Sequence, residues 1–169
     1  MKKICLLSDT HAYLDQRIID HVMECDEVWH AGDIGSVEVS EKLGKLKPLR
    51  AVYGNIDGQD LRSMHPEELF FDCEGMKIFI THIGGYPGAF VPKARKKIET
   101  LQPDIFICGH SHILKVIPDP KYKLLHMNPG AAGKHGFHKI RTLLKFSIDK
   151  GKIQNLQAVE LGLRGSIDS

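Results

Sequence analysis

Seven residues with metal-binding side chains, Asp9, His11, Asp33, Asn55, His82, His110 and His112, each fall just after a short apolar run. Asp9 and His11 follow Ile4 to Leu7, Asp33 follows Val28 to Ala31, and Asn55 follows Arg50 to Tyr53. His82 follows Met76 to Thr81, and His110 with His112 follow Ile105 to Cys108. Imidazole, carboxylate and amide oxygen together suit Mn, Fe, Co, Ni or Zn better than Ca or Mg, which prefer oxygen alone. The pairs Asp9/His11 and His110/His112 are spaced two apart, so in extended chain each pair points one way.

Seven donors are more than one such ion takes, and two ions sharing Asp33 are expected. Two dications, two carboxylates and one hydroxide sum to about +1, a net attraction for a phosphate anion. Two ions ~3.5–4 Å apart can acidify a bridging water and hold the attacking and leaving oxygens of an in-line displacement. Phosphate-ester hydrolysis is the chemistry this predicts, with Asp33, Asn55 and His82 in catalytic roles. Any one of these residues alone would read as a turn, cap or structural histidine; their recurrence after successive runs points to metal. His30, His126 and Trp29 lie inside runs and are expected to pack or to support the ligands. His21 and His65 are expected on the surface.

For these residues to meet, the runs must be strands of α/β sheets, whose carboxyl-end loops converge in one crevice. Ile4 to Leu7 is unalternating, as in a strand buried on both faces. Ile18, Ile19, Val22 and Met23 recur at helical spacing. Ser36 can cap a helix with the stripe Val39, Leu43 and Leu46, which Pro48 stops. Leu69 to Cys73 and Met76 to Thr81 flank a Glu74-Gly75 hairpin turn. Pro92 opens a helix with the stripe Ala94, Ile98 and Leu101. Beyond residue 112, Val116-Ile117, Lys123 to Met127, Thr142 to Ile148 and Ile153 to Leu161 read as hairpin strands, and Arg164 to Ser169 as a tail. The expectation is one domain over residues 1–163, α/β in class, with two mixed β-sheets packed together and flanked by helices.

Lys and Arg number 23 against 21 Asp and Glu, and a net charge of +2 carries no strong nucleic-acid or membrane signal. The apolar run after Lys3 ends at Ser8, too short for an export signal, and nothing approaches the ~20 apolar residues of a membrane span. Cys5, Cys25, Cys73 and Cys108 are widely separated, with no Cys-x-x-Cys pair, and are expected as reduced core thiols of a cytoplasmic protein.

Asp9-Thr10-His11, Gly32-Asp33, Gly54-Asn55, Thr81-His82 and Gly109-His110-Ser111-His112 resemble the ordered signature of the calcineurin-like metallophosphoesterases. The length, and Asn128-Pro129-Gly130, resemble their small prokaryotic YfcE-type phosphodiesterase branch. The resemblance implies a four-layer αββα sandwich, a two-metal site and small phosphate-ester substrates, diesters by preference. It also implies that Asp9, His11, Asp33 and His112 hold one ion, and Asp33, Asn55, His82 and His110 the other. A monoesterase, or a non-catalytic protein-binding scaffold like the retromer's phosphoesterase-like subunit, are the alternative readings. One departure stands out: many members have a His directly after the Gly-Asn pair, where this chain has Ile56, which cannot transfer a proton. A substitute donor is sought in Lys134-His135-Gly136-Phe137-His138.

Overall fold

The structure, a computed structural model, describes residues 1–165. In chain order the elements are β1 (Lys2–Leu7), α1 (Gln16–Met23), β2 (Glu27–His30), α2 (Val37–Leu46), β3 (Leu49–Ala51), α3 (Gln59–Met64), β4 (Glu68–Cys73), β5 (Met76–Thr81), α4 (Pro92–Leu101), β6 (Ile105–Ile107), β7 (Leu114–Asp119), β8 (Leu124–Pro129), β9 (Ile140–Asp149) and β10 (Lys152–Leu163). They form two five-stranded mixed sheets, one ordered β10-β9-β1-β2-β3 and the other β4-β5-β6-β8-β7.

The unalternating apolar runs follow from this stacking. In β1, Ile4 and Leu6 face the second sheet and join Trp29, Ile78, Ile80, Ile105, Ile107 and Phe146 in a middle layer. Cys5 and Leu7 point the other way, against Ile18 and Val22 of α1 and Val39 and Leu43 of α2. On the far side Phe79 and Phe106 pack beneath Ala94 and Ile98 of α4. Helix, sheet, sheet and helix layers result, as the α/β expectation required, because period-2 alternation with both faces apolar can be buried only between two partners. All four cysteines are buried and unbridged.

Local signals act as their chemistry dictates. Ser36 Oγ accepts the Val39 N–H at 3.3 Å, Pro92 sits in the first turn of α4, and Glu74-Gly75 turns the β4–β5 hairpin with φ of 47° and 88°. Several readings need correction. β3 ends at Ala51 rather than Tyr53, since the Tyr53 N–H leaves the sheet for the Pro66 carbonyl. The six-residue α3 has no side-chain cap and only Leu61 buried, so periodicity could not reveal it. His21 and His65 are half-buried rather than surface residues: Lys145 Nζ lies 3.3 Å from His21 Nδ1, and Ser40 Oγ lies 2.6 Å from His65 Nε2. Of the expected tail, Arg164 bonds the Lys139 and His138 carbonyls at 2.9 and 2.8 Å, and residues 166–169 lie outside the described residues. No helix among the described residues is long and apolar enough to cross a membrane.

Candidate metal centre

The seven predicted residues come together at the carboxyl ends of five strands. Asp9, His11, Asp33 and Asn55 follow strands of the first sheet, and His82, His110 and His112 follow strands of the second. Donor atoms cluster in two groups, Asp9/His11/His112 and Asp33/His82/His110. Asp33 Oδ2 stands 3.2 Å from His82 Nε2 and 3.5 Å from His11 Nε2, so one oxygen faces both groups. Asp9 Oδ1 is 3.2 Å from His112 Nε2 and 3.7 Å from His11 Nε2. Asn55 Oδ1 lies 3.1 Å from His110 Nδ1.

Three atoms in this cluster are buried without a hydrogen-bond partner: Asp9 Oδ1, His11 Nε2 and His82 Nε2. A buried unpaired polar atom is costly, by ~1–3 kcal/mol each, unless something else satisfies it. Donors each ~2.0–2.2 Å from a shared divalent ion would stand ~3–3.5 Å from one another, close to the spacing seen here. The donor set therefore fits metal.

The loops are laced so that these atoms stay bare. Asp9, His11 and Ala12 donate their N–H groups to the carbonyls of Gly32, Asp33 and Ile34 at 2.9, 3.0 and 2.8 Å, tying the loop after β1 to the loop after β2. Asp9 Oδ2 accepts from Ser8 Oγ at 2.6 Å and from the His110 N–H at 3.1 Å, which spends that oxygen and leaves Oδ1 aimed inward. Asp33 Oδ1 is likewise taken by the Ile56 N–H at 3.1 Å. His82 Nδ1 donates to the Ala31 carbonyl at 2.8 Å, which fixes the tautomer with a bare Nε2. Asp9, His11, Asp33, His110 and His112 all have positive φ, between 45° and 71°. Backbone in this region is strained for such residues and persists where the surroundings over-determine it.

Electrostatics follow from the same contacts. Burial pushes the Asp9 carboxyl up, but the nearby ring nitrogens of His11 and His112 and the charge of His82 outweigh it and hold it far below the usual carboxylate range. Burial likewise opposes the Asp33 anion, and the close His82 ring wins and lowers the value. His82 is raised, since Asp33 and Asp9 overcome a burial effect that acts downward.

Supporting residues hold these loops; Asp57, Thr10 and Arg141 were not read as such from the sequence, whereas His30 was expected to pack or to support the ligands. Asp57 is buried, and its carboxylate accepts the N–H groups of Gly54, Gly35 and Ile34 at 2.8, 2.9 and 3.1 Å, joining the loops after β2 and β3. Its spacing of two from Asn55, the same as in both ligand pairs, was the available signal. Thr10 takes the Nε2–H of His30 at 3.0 Å and donates to the Ile34 carbonyl at 2.8 Å. His30 Nδ1 accepts the Gly32 N–H at 3.1 Å, and burial pushes this imidazole down to about 4, keeping it neutral. Arg141, fully buried, pairs with Asp15 at 2.9 Å and donates to the Ala132 carbonyl at 2.8 Å, anchoring the segment that leads to His135. His126 packs among Phe90 and Phe106 and Trp29 lies in the middle layer, both core residues as expected. Asn128 donates to the Gly109 carbonyl at 3.0 Å and Ser111 Oγ at 3.1 Å, supporting the loop of His110 and His112.

The segment after residue 133 reaches the cluster. The His135 ring stacks on His11, with centroids 4.7 Å apart, and His138 meets His112 edge-on at 5.2 Å. Ile56 is directed to solvent.

Comparison with known proteins gives a consistent picture. Residues 1–151 match the family model described as a calcineurin-like phosphoesterase superfamily domain. A probable metallophosphoesterase of Methanothermobacter thermautotrophicus is 26% identical over 135 residues, covering 76% of each chain. A solved archaeal phosphodiesterase superposes with a TM-score of 0.71 at 23% identity, over 94% of this chain and 99% of that one. Zinc-complexed Vps29 from Entamoeba histolytica does so with 0.71 at 18% identity, over 94% and 98%.

Proposed function

The chain belongs to the calcineurin-like phosphoesterase superfamily, and on that footing we propose that it is a metal-dependent phosphoesterase acting on small phosphate esters, phosphodiesters in preference to monoesters. The observation that carries this reading is the trio of buried, unpartnered donor atoms Asp9 Oδ1, His11 Nε2 and His82 Nε2 facing one another.

Asp9, His11, Asp33 and His112 would hold one ion, and Asp33, Asn55, His82 and His110 the other, the ions being Mn, Fe, Co, Ni or Zn. When bound, two such ions supply an acidified water and positive charge against the phosphoryl oxygens. Asp33 sets the spacing of the two halves through its single inward oxygen. His82, held by Ala31, and Asn55, beside His110, position the phosphoryl group between the two cavities that open on either side. Hydrolysis forms a bond from the water oxygen to phosphorus and breaks the bond to one alcohol oxygen. One water proton ends on that alcohol and the other on the product phosphate or in solvent. Ile56 donates none, so good leaving groups are favoured, general-acid help being worth ~10²–10⁴-fold where it exists. The activity of the archaeal phosphodiesterase and the zinc in the Vps29 structure are consistent with this assignment.

The test is direct. Purified protein stripped of metal and reloaded with Mn should hydrolyse bis(p-nitrophenyl) phosphate and hold two ions per chain by elemental analysis. Turnover of neither diesters nor monoesters with any of the five metals would overturn the enzyme reading and leave a protein-binding scaffold of the same fold.

A further inference from the structure

Two cavities meet at the candidate metal centre, and Asn55 lines both. One, of about 340 Å³, runs from His82 past Tyr53, Arg62 and Lys93. Lys93 is neutralised by Glu67 at 2.6 Å. Arg62 is not neutralised: its guanidinium lies 4.6 Å from the Tyr53 ring centre and bonds the backbone carbonyls of Asp57 and Asn55 at 2.7 and 3.4 Å, with no carboxylate partner among the described residues. The other cavity, of about 490 Å³, has His11, His110 and His112 in its floor and Ile56, Ile113 and Phe137 on its rim. Those rim side chains are 47%, 57% and 101% exposed, and the stacked His11 and His135 rings add a flat wall between floor and rim. Exposed apolar groups ringing a highly polar floor are unusual unless a ligand covers them.

A monoester has one organic arm and would leave one of these cavities vacant; a diester has two. We propose that the two cavities are unlike alcohol subsites of an unsymmetrical diester: a planar, apolar group such as an aryl ring or nucleobase against Phe137 and Ile113, and a polar or anionic alcohol beside Arg62. This rests on the phosphoesterase reading above and specifies its substrate class.

Phosphonates that carry one arm each test the two subsites separately. Methylphosphonate, phenylphosphonate and 3-phosphonopropionate are compared as inhibitors of bis(p-nitrophenyl) phosphate hydrolysis by the Mn-loaded protein. Phe137→Ser should raise the inhibition constant of phenylphosphonate about tenfold, ~1.4 kcal/mol, and leave the other two within twofold. Arg62→Gln should do the same to 3-phosphonopropionate alone, and Arg62→Lys should restore most of the loss. Equal shifts for all three compounds, or none, would overturn the assignment. If the wild type hydrolyses nothing, the function fails separately, and calorimetric titration of the same phosphonates into Mn-loaded protein still decides the subsites on the same criteria.

Discussion

His82 Nε2 stands 3.2 Å from Asp33 Oδ2 because both groups are pinned from behind, His82 by the Ala31 carbonyl at 2.8 Å and Asp33 by the Ile56 N–H at 3.1 Å. Asp33→Asn puts an amide nitrogen in place of one oxygen of the carboxylate that stands 3.5 Å from His11 Nε2 and 3.2 Å from His82 Nε2. Diester turnover should fall at least ~100-fold, as expected when charge stabilisation of several kcal/mol is lost, and bound metal should drop below two ions per chain. His21→Ala, far from the cluster, should leave kinetics within twofold. Near wild-type turnover by the Asp33 variant would remove the bridging role.

Metal should also stabilise the fold. An ion would satisfy the three buried atoms without partners, so loading with Mn or Zn should raise the melting temperature in proportion to the logarithm of free metal. Chelation should reverse it. A melting curve indifferent to metal at millimolar concentration would argue against the site.

Asp57→Ala leaves three buried or half-buried N–H groups, on Gly54, Gly35 and Ile34, without their acceptor. A loss of ~2–4 kcal/mol in urea unfolding is expected, together with weaker metal binding, since these groups set the loops of Asp33 and Asn55. A change under 1 kcal/mol would mean water replaces the carboxylate at little cost.

Below its ordinary value of 6.5 the His30 imidazole of the unfolded chain takes up a proton that the folded protein refuses until about 4. Its contribution is therefore complete above pH 6.5 and is lost as pH falls toward 4, a change of ~3 kcal/mol from this residue. His126, also pushed down to about 4 by burial, acts in the same direction. Denaturation of the metal-free protein across this window should show the slope, and His30→Gln should flatten it; an unchanged slope in that variant would assign the proton elsewhere.

Gly109 is pressed against the first loop. A Cβ there would overlap Ser8 Oγ and stand 2.8 Å from Asp9 Oδ2. Gly109→Ala should therefore weaken metal binding ~10–100-fold, the usual cost of disturbing a group that orients a ligand, measured by competition with a chromogenic chelator. Unaltered affinity would show that Asp9 can shift without consequence.

The seven candidate ligands could be picked out of the sequence because metal chemistry restricts residue type, and strand ends could be recognised from the apolar runs before them. Their conformation was not. Positive φ at Asp9, His11, Asp33, His110 and His112 is imposed by bonds from other loops, such as Asp9 N–H to the Gly32 carbonyl, and nothing local to Asp9 announces it. Asp57 escaped for a related reason: its partners on Gly35 and Ile34 lie more than twenty residues away. The two layers outside the sheets were readable from helical stripes, except α3, whose single buried residue leaves no period to detect. His135 lay in a stretch already suspected, yet its stacking on His11 required the return of the chain along β8.

Four of the candidate ligands hang from one sheet and three from the other, and the His110 N–H bond to Asp9 Oδ2 is a direct stitch between them. On the proposed two-ion reading, the gap between the ions would also measure how closely the sheets lie at their mouths. Trp29 and Met127 lie in the layer between the sheets, where packing sets how closely the sheets approach. On the same reading, ion affinity would gauge interior packing, and a cavity opened deep in the sandwich would be read at its rim.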